Sequence, residues 1–229
     1  MSKKIAIMQP YIFPNIGYMN LVNASDKFVF YDDVHFIKKG WINRNQIMLL
    51  GKPYRFSIPL KRQSQNVLIK DTEVVDLVNF AEKFIGQINL SYKKSPYKDS
   101  VLDYVKEVLG GKHVSISEVA IASVELFYKY IGIDKSFHYS STEFSSTRGL
   151  ERAERLIAIT KLLQSNNYIN AIGGTSLYEK EFFRSKGIKL EFVKPSFIPY
   201  EHCNGVDPEL VPVLVLELAP VLVLELAPV

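Results

Sequence analysis

Cysteine is almost missing from this chain, which has the single Cys203 among its 229 residues. One cysteine cannot form a disulfide framework or a cysteine-based zinc cluster, so a reducing cytoplasm is the expected compartment. The four histidines are scattered, and none has the spacing of a helical metal-binding pair; they are His35, His113, His138 and His202. The histidine spacing therefore gives little support for a metal site.

Long apolar runs and clusters of positive charge are also absent. The N-terminal apolar run covers only residues 5–8 before Gln9 and Pro10 end it, which is too short for a secretory signal peptide. We find no stretch that suits a bilayer-spanning helix. The net charge of +4 is spread along the chain, so we expect no nucleic acid partner and no membrane insertion. This charge is compatible with a pocket for a phosphorylated small molecule.

The last segment of the chain has an unusual repeat. Residues 213–220 read VLVLELAP, and residues 221–228 repeat these letters one for one. Two copies of so short a unit do not make a solenoid. We interpret residues 210–229 as an artefactual or disordered tail, with a native pair of amphipathic strands as the alternative, and assign no function to them.

The order of the apolar segments predicts an α/β fold. Residues 4–10 read as a buried strand, residues 16–25 as a short helix and residues 28–34 as a second strand. That order is typical of two parallel strands joined by a crossover helix. Two further short stretches, residues 46–50 and 54–60, look like strands or the arms of a hairpin.

The second half of the chain alternates helix and strand again, so we predict a Rossmann-like parallel sheet with a helical insertion. The predicted organisation is a strand–helix–strand unit with a polar-aromatic loop at 1–70, a helical region at 71–135, and a C-terminal α/β part of the same domain at 136–209.

Local signals predict where two helices of the central region begin. Ser95 is expected as an N-cap with Pro96 at the first helical position. Ser115 is followed three residues later by Glu118, which is the spacing of a capping box.

Three predicted strands end in residues that suit ligand binding. Because parallel sheets bind ligands beyond the carboxyl ends of their strands, these residues are expected to converge. They are Gln9 and Tyr11 after the first strand, Asp32 and Asp33 after the second, and Gly173 and Gly174 after a later one. The two acids suit a metal or a hydroxyl-rich ligand, with a simple strand-end cap as the alternative.

The turn after the first strand resembles that of the nucleotidylyltransferase superfamily, whose members carry a His-x-Gly-His motif there. This chain has Asn15, Gly17 and Tyr18 at the corresponding positions, so the glycine is kept and both imidazoles are lost. The resemblance implies a binding loop in which nucleotidyl transfer is disfavoured, since Asn and Tyr carry no positive charge. The alternative is that Gly17 only permits a tight turn.

Residues 38–47 form the densest polar-aromatic cluster of the sequence. Arginine and lysine bind phosphate or carboxylate, and tryptophan offers a stacking face. The candidate binding residues in this cluster are Lys39, Trp41, Asn43, Arg44 and Asn45. A solvated loop with the tryptophan packed in the core is the alternative.

Two further features are candidates for chemistry. His35 follows the paired acids and is a candidate base together with Asp33. Arg148 precedes a predicted helix from about residue 150, where an anion would be favoured, while Arg152 and Arg155 lie on one face of that helix. Ion pairs to neighbouring glutamates are the alternative for these two arginines. His138 lies near several serines, but spacing alone does not test a serine–histidine pair there.

The motifs QPYIFPNIGY and DDVHFIKKGWINRN, with the later segments YINAIGGTSLYEKEFFRSKGIKLEF and PSFIPYEH, resemble the WbqC-like protein family. The resemblance covers about residues 4–202. The family's signature residues correspond here to Gln9, Pro10, Tyr11, Pro14, Gly17, Tyr18, Asp32, Asp33, Lys39, Trp41, Asn43, Arg44 and Asn45. Members often lie in gene clusters for O-antigen and other surface polysaccharides and have been described as glycine or aminoacyl transferases.

The resemblance implies an enzyme that transfers an acyl or aminoacyl group to a nucleotide-linked amino sugar. His35, Asp33 and Asp32 are then the candidate catalytic residues, with Gln9, Tyr11 or Asn45 as donors to the developing oxyanion. The cofactor is unknown. An activated acyl or aminoacyl donor is expected as co-substrate, and an acyl-carrier protein is a candidate partner. The alternatives are an ATP-dependent adenylylating or ligase-type enzyme and a non-catalytic binding module of a glycan-synthesising complex.

Overall fold

The computed structural model of the protein describes residues 2–194. The predictions for the repeated tail, for Cys203 and for His202 therefore lie outside the described residues. None of the helices described in this range has the length and apolar character needed to cross a bilayer.

The described chain forms two compact units that alternate along the sequence. We call residues 2–9, 17–32 and 135–194 the sheet unit, and residues 10–16 and 33–134 the helical unit.

The strands and helices of both units are numbered in chain order. The strands are β1 (Lys4–Met8), β2 (Lys27–Phe30), β3 (Arg44–Leu49), β4 (Lys52–Ser57), β5 (Ser136–Tyr139), β6 (Asn167–Ala171) and β7 (Lys189–Val193). The helices are α1 (Ile16–Ala24), α2 (Leu77–Ser91), α3 (Lys98–Leu109), α4 (Ile116–Tyr130), α5 (Ser140–Glu143), α6 (Arg152–Leu162) and α7 (Lys180–Ser185). Short 3₁₀ turns lie at Ile69–Asp71, Ser145–Thr147 and Ile172–Gly174.

A five-stranded parallel sheet forms the sheet unit, in the order β5-β2-β1-β6-β7. From the central strand β1 the chain passes through α1 to β2 on one side, and it later reaches β6 on the other side. The strand order therefore runs in opposite directions on the two sides of β1. The place between β1 and β6 where the direction changes is the topological switch point, and open α/β sheets bind ligands beyond the carboxyl ends of the strands there. The architecture confirms the predicted Rossmann-like parallel sheet and places the switch point at the carboxyl ends of β1 and β6.

The inner strands β1, β2 and β6 are buried on both faces, which explains why β1 and β2 read as continuous apolar runs. One face packs against α6 and α7 in a core formed by Ile5, Ile7, Val29, Phe144, Leu156, Ile157, Ile159, Leu163, Tyr168, Phe183, Ile188 and Leu190. On the other face the rings of Tyr18 and Phe28 lie 5.6 Å apart, and Phe28 lies 5.1 Å from Phe30. Rings at these separations add edge-to-face attraction to the burial of their area.

The helical unit contains the antiparallel hairpin β3–β4 and the helices α2, α3 and α4. Its core is aromatic. Phe84 lies 4.4 Å from Phe56 and 6.0 Å from Phe13, and the Tyr104 ring is 5.8 Å from that of Phe13. Much of the chain's high aromatic content is therefore used in packing.

Several predicted element boundaries are confirmed, and others are wrong. The hairpin arms form β3 and β4, and the capping box is present because Ser115 Oγ accepts from the Glu118 amide at 3.3 Å. The predicted helix start at Ser95 and Pro96 is wrong. The Ser95 carbonyl accepts a turn hydrogen bond from the amide of Lys98, so the regular helix begins only at Lys98.

Two predicted strands end early, and two predicted helical segments start late. β1 ends at Met8 and β2 at Phe30, two and four residues before their predicted ends. The helix predicted from about residue 150 begins at Arg152. The helical period predicted from residue 71 starts only at Leu77, because Val74 pairs with Leu60 in an isolated β-bridge.

Candidate functional site

The predicted site residues divide between the two units. The sheet unit contains Gln9, Gly17, Tyr18, Asp32, Arg148, Gly173 and Gly174. The helical unit contains Tyr11, Asn15, Asp33, His35, Lys39, Trp41, Asn43, Arg44 and Asn45.

The carboxyl end of β1 is fixed to α1 by a tyrosine. The Tyr18 hydroxyl donates to the Gln9 carbonyl at 3.1 Å, while the Tyr18 ring is buried against Phe28. One of the two positions that correspond to the superfamily's histidines is therefore a core position in this chain. The other, Asn15, is exposed.

Asp32 is buried at the end of β2 and is held by the start of α5. Its Oδ1 accepts from Ser140 Oγ at 3.0 Å and from the Ser141 amide at 2.9 Å, and its Oδ2 accepts from Ser141 Oγ at 2.6 Å. The Asp32 amide in turn donates to Ser140 Oγ at 3.2 Å. A carboxylate so engaged fixes the strand to the helix, so these hydrogen bonds indicate a positioning role for Asp32, and its catalytic role stays a prediction.

Two arginines lie near this end of the sheet. Arg148 is exposed, and its Nη2 donates to the Ser141 carbonyl at 2.7 Å. Arg155 of α6 is buried, donates through Nε to Thr147 Oγ1 at 3.1 Å, and stacks its guanidinium 4.7 Å from the Tyr31 ring centre. Arg148 thus presents positive charge to solvent, whereas Arg155 has a structural environment.

The carboxyl end of β6 combines a buried amide with a glycine that must stay small. Asn170 is buried, and its Oδ1 accepts from the Ala171 amide at 2.8 Å. A Cβ on Gly174 would lie 2.8 Å from Asn170 Nδ2, whereas a Cβ on Gly173 would meet open space. Sequence reasoning missed Asn170, although a polar residue in a buried strand just before two glycines is a usable signal.

Tyr178 follows this turn and contacts Arg152 of α6. Burial raises the pKa of Tyr178, and this effect exceeds the opposing influence of the Arg152 charge and of its hydrogen bond to the tyrosine. Arg152 itself is exposed at the start of α6. The sheet unit therefore presents two exposed cations at the N-terminal end of α6, namely Arg148 before the helix and Arg152 as its first residue.

In the helical unit, two buried asparagines hold backbone. The Asn45 amide Nδ2 donates to the Phe13 carbonyl at 2.6 Å, and Phe13 has a positive φ of 41°. The Asn43 amide donates to the Ile58 carbonyl at 3.0 Å. A bulky residue at positive φ is strained unless its surroundings over-determine it, and the Asn45 bond supplies part of that restraint. Both asparagines therefore position the chain.

In the polar-aromatic cluster of residues 38–47, the arginine side chain binds backbone carbonyls of the preceding turn. Arg44 Nε donates to the Gly40 carbonyl at 2.9 Å, and its Nη2 donates to the Lys39 carbonyl. Lys39 is exposed and has a left-handed φ of 61°. The Trp41 side chain is 38% exposed, so the alternative that packs it in the core is wrong.

The acid and the histidine after β2 have different environments. Asp33 is buried. His35 is exposed, and its backbone forms an isolated β-bridge with Leu68. Burial raises the pKa of Tyr11, which keeps its hydroxyl protonated as a donor. Between residues 2 and 194, no group of three or more histidine, cysteine, aspartate or glutamate side chains is arranged to hold a metal ion.

Two surface pockets of the helical unit lie elsewhere. One, of about 340 Å³, is lined by residues of α3 and α4, including Asp103, Glu107 and Lys129. The other, of about 270 Å³, lies at the end of α2 beside the tip of the β3–β4 hairpin. Neither pocket is lined by a predicted site residue.

Comparison with known proteins supports the resemblance noted from the sequence. The model of the WbqC-like protein family matches residues 9–211. A protein of Mycobacterium tuberculosis, uncharacterized protein Rv1507c, is 22% identical over 190 residues, which cover 82% of this chain and 80% of that protein. No solved structure matches the chain significantly.

Proposed function

This chain belongs to the WbqC-like protein family, which is associated with polysaccharide biosynthesis, and from that premise we propose that it transfers an acyl or aminoacyl group to a nucleotide-linked amino sugar. The reaction forms a bond between the sugar nitrogen and the carbonyl carbon of an activated donor. The bond between that carbon and the donor's leaving group breaks, and a base takes the proton of the amine.

The observation that carries the proposal is the switch point of the parallel sheet. Gln9 follows β1 and the Ile172–Gly174 turn follows β6 at the two strand ends beside this point. Open α/β sheets bind ligands beyond these ends, and exposed backbone amides of a glycine turn suit phosphate oxygens. We assign the nucleotide of the substrate to this edge of the sheet unit.

Charge in the sheet unit supports an anionic substrate. Arg148 is exposed, and its bond to the Ser141 carbonyl holds the side chain beside α5. A guanidinium group can donate two parallel hydrogen bonds to a pyrophosphate. Because one hydrogen bond already restricts the side chain, binding the pyrophosphate costs less side-chain entropy. Arg148 is therefore the proposed pyrophosphate ligand of this unit.

Within the sheet unit, Gln9 is the proposed donor to the oxyanion, because it follows β1 at the edge assigned to the nucleotide. The candidate bases His35 and Asp33 remain predictions from the sequence. An acyl-carrier protein remains a candidate source of the acyl group.

Isothermal titration calorimetry with dTDP-linked and UDP-linked amino sugars tests this function. We expect binding to the unchanged protein and a loss of about tenfold or more in Arg148→Ala, since charge-assisted hydrogen bonds contribute about 1.5–3 kcal/mol. Arg184→Ala is the matched control, because Arg184 is exposed and pairs with Glu181 on α7. Absence of heat with every such sugar, or equal losses in both variants, would sink the proposal.

A further inference from the structure

A serine, a histidine and a glutamate form a linear relay on β5 and α5 of the sheet unit. His138 Nδ1 lies 2.7 Å from Glu143 Oε2, and His138 Nε2 lies 3.2 Å from Ser136 Oγ. Ser136 and His138 are two residues apart on one strand, so their side chains project from the same face of it. None of these residues belongs to the signature motifs discussed above.

The relay has the atom order that nucleophilic catalysis requires. A carboxylate on Nδ1 selects the ring tautomer with its proton on Nδ1, which leaves the Nε2 lone pair facing the hydroxyl. In this arrangement His138 donates to Glu143, and the Ser136 hydroxyl donates to His138.

Further contacts hold the acid and the ring in place. The Tyr139 amide donates to Glu143 Oε1 at 2.8 Å, so each carboxylate oxygen has its own donor. The imidazole packs 6.3 Å from the Phe144 ring and is 19% exposed, while Ser136 is exposed to solvent. The base is thus oriented and partly shielded, and the hydroxyl remains accessible to a reagent from solution.

We propose that Ser136, His138 and Glu143 form a second reactive site that takes up an acyl group as an ester on Ser136. Ser136 Oγ attacks the carbonyl carbon of an activated ester or thioester while His138 Nε2 takes the hydroxyl proton. The bond to the alcohol or thiol leaving group breaks, and His138 returns the proton to that group. Water then attacks the acyl-serine with His138 as base, which releases the carboxylic acid and restores the serine.

The substrate class follows from the position of the hydroxyl. β5 is the edge strand of the sheet, and its first residue lies at the opposite end from the carboxyl edge assigned to the nucleotide. An exposed serine at that place suits small or flexible acyl esters and thioesters rather than a buried ligand. The site shares no residue with the proposed amino-sugar function, so each proposal stands or fails without the other.

A purely structural role is the competing explanation. In that case His138 and Glu143 only tie α5 to β5, and Ser136 is one more exposed hydroxyl. The two explanations differ in one observable, which is whether Ser136 reacts faster than other exposed serines and depends on His138 in doing so.

Covalent labelling of the full chain separates them. A fluorophosphonate probe and 4-nitrophenyl acetate are each incubated with the protein, and the labelled peptide is identified by mass spectrometry. We expect label on Ser136, none at that peptide in Ser136→Ala, and a fall in labelling rate of about 100-fold or more in His138→Gln. Glu143→Gln keeps an acceptor for the Tyr139 amide and is expected to lose about tenfold or more.

Ser146→Ala is the matched control, because Ser146 is also exposed and lies ten residues from Ser136. Circular dichroism and thermal melts check that each variant is folded. If His138→Gln is not folded, the test rests on Ser136→Ala, which removes only an exposed hydroxyl. Equal labelling of Ser136 and Ser146, or an unchanged rate in a folded His138→Gln, would overturn the proposal.

Discussion

At the scale of single residues, the polar side chains nearest the sheet's carboxyl edge are fixed by the chain itself. Asp32 accepts three hydrogen bonds, Asn170 accepts from the next amide, and Tyr18 donates to Gln9. Such pre-organised side chains support a binding edge by holding its loops in place, and their removal should cost stability before it costs any contact with a ligand.

Replacing Asp32 by asparagine tests this positioning role. The amide keeps the shape of the carboxylate but turns one acceptor toward Ser141 Oγ into a donor, and it removes the charge that strengthens the bonds. We expect Asp32→Asn to lower the free energy of unfolding by about 2 kcal/mol in urea titrations. Asp99→Asn, at an exposed position of α3, should change it little. Equal effects of the two variants would contradict the positioning role.

The two glycines after β6 provide a matched pair. A methyl group on Gly174 meets the buried Asn170 amide, so Gly174→Ala is expected to cost about 1–3 kcal/mol of stability. Gly173→Ala has open space and should be close to neutral. Thermal melts of both variants check this contrast, and a Gly174→Ala protein as stable as Gly173→Ala would show that Asn170 moves freely.

Sequence reasoning reached some of these residues and missed others for a physical reason. Gln9, Asp32 and Gly173 were found because apolar runs end there, and the end of a buried strand is a local signal. The hydrogen-bond partners of Asp32 could not be predicted in this way. Ser140 lies 108 residues away along the chain, and only the pairing of β5 with β2 brings Ser140 close to Asp32. The restraint of Phe13 by Asn45 spans 32 residues and was hidden for the same reason.

At the scale of elements, local chemistry decides where helices begin only when their caps are made within one turn. The capping box at Ser115 is of this kind, since both of its hydrogen bonds join residues three apart. The failed start at Ser95 shows the opposite case: the Ser95 amide donates to the Tyr92 carbonyl in a turn, and the helix begins at Lys98, two residues after the predicted Pro96.

Ser115→Ala tests how much the capping box contributes. The change removes the hydroxyl acceptor of the Glu118 amide and weakens the reciprocal bond, so we expect a loss of about 1 kcal/mol in the free energy of unfolding. Ser100→Ala, at an exposed position inside α3, should be neutral or slightly stabilising, because alanine is the better helix former. A neutral Ser115→Ala would mean that solvent replaces the cap without cost.

At the scale of the whole molecule, both units rely on buried tyrosines. Burial raises the pKa of Tyr104 and Tyr128 in the helical unit and of Tyr168 in the sheet unit. The folded chain therefore keeps these protons at pH values at which the unfolded chain releases them. The resulting stability is complete below the unfolded pKa of about 10 and is lost as the pH rises from there toward the folded pKa values.

We expect the urea midpoint of unfolding to fall steeply once the pH exceeds about 10. Tyr104→Phe removes one of the buried protons and should make the fall shallower, although its starting midpoint is lower because the hydroxyl donates to Ser123. Tyr54→Phe, with a partly exposed ring, is the control and should leave the slope unchanged. A slope that Tyr104→Phe does not alter would contradict this explanation.

We propose that the carboxyl edge of the parallel sheet binds a nucleotide-linked amino sugar. Amide hydrogen exchange, followed by mass spectrometry with and without a saturating dTDP-linked or UDP-linked amino sugar, locates the ligand most directly. We expect slower exchange in peptides that cover residues 139–148 and 167–178, which contain Arg148 and the glycine turn after β6. Protection confined to α3 and α4, beside the pocket of the helical unit, would contradict it.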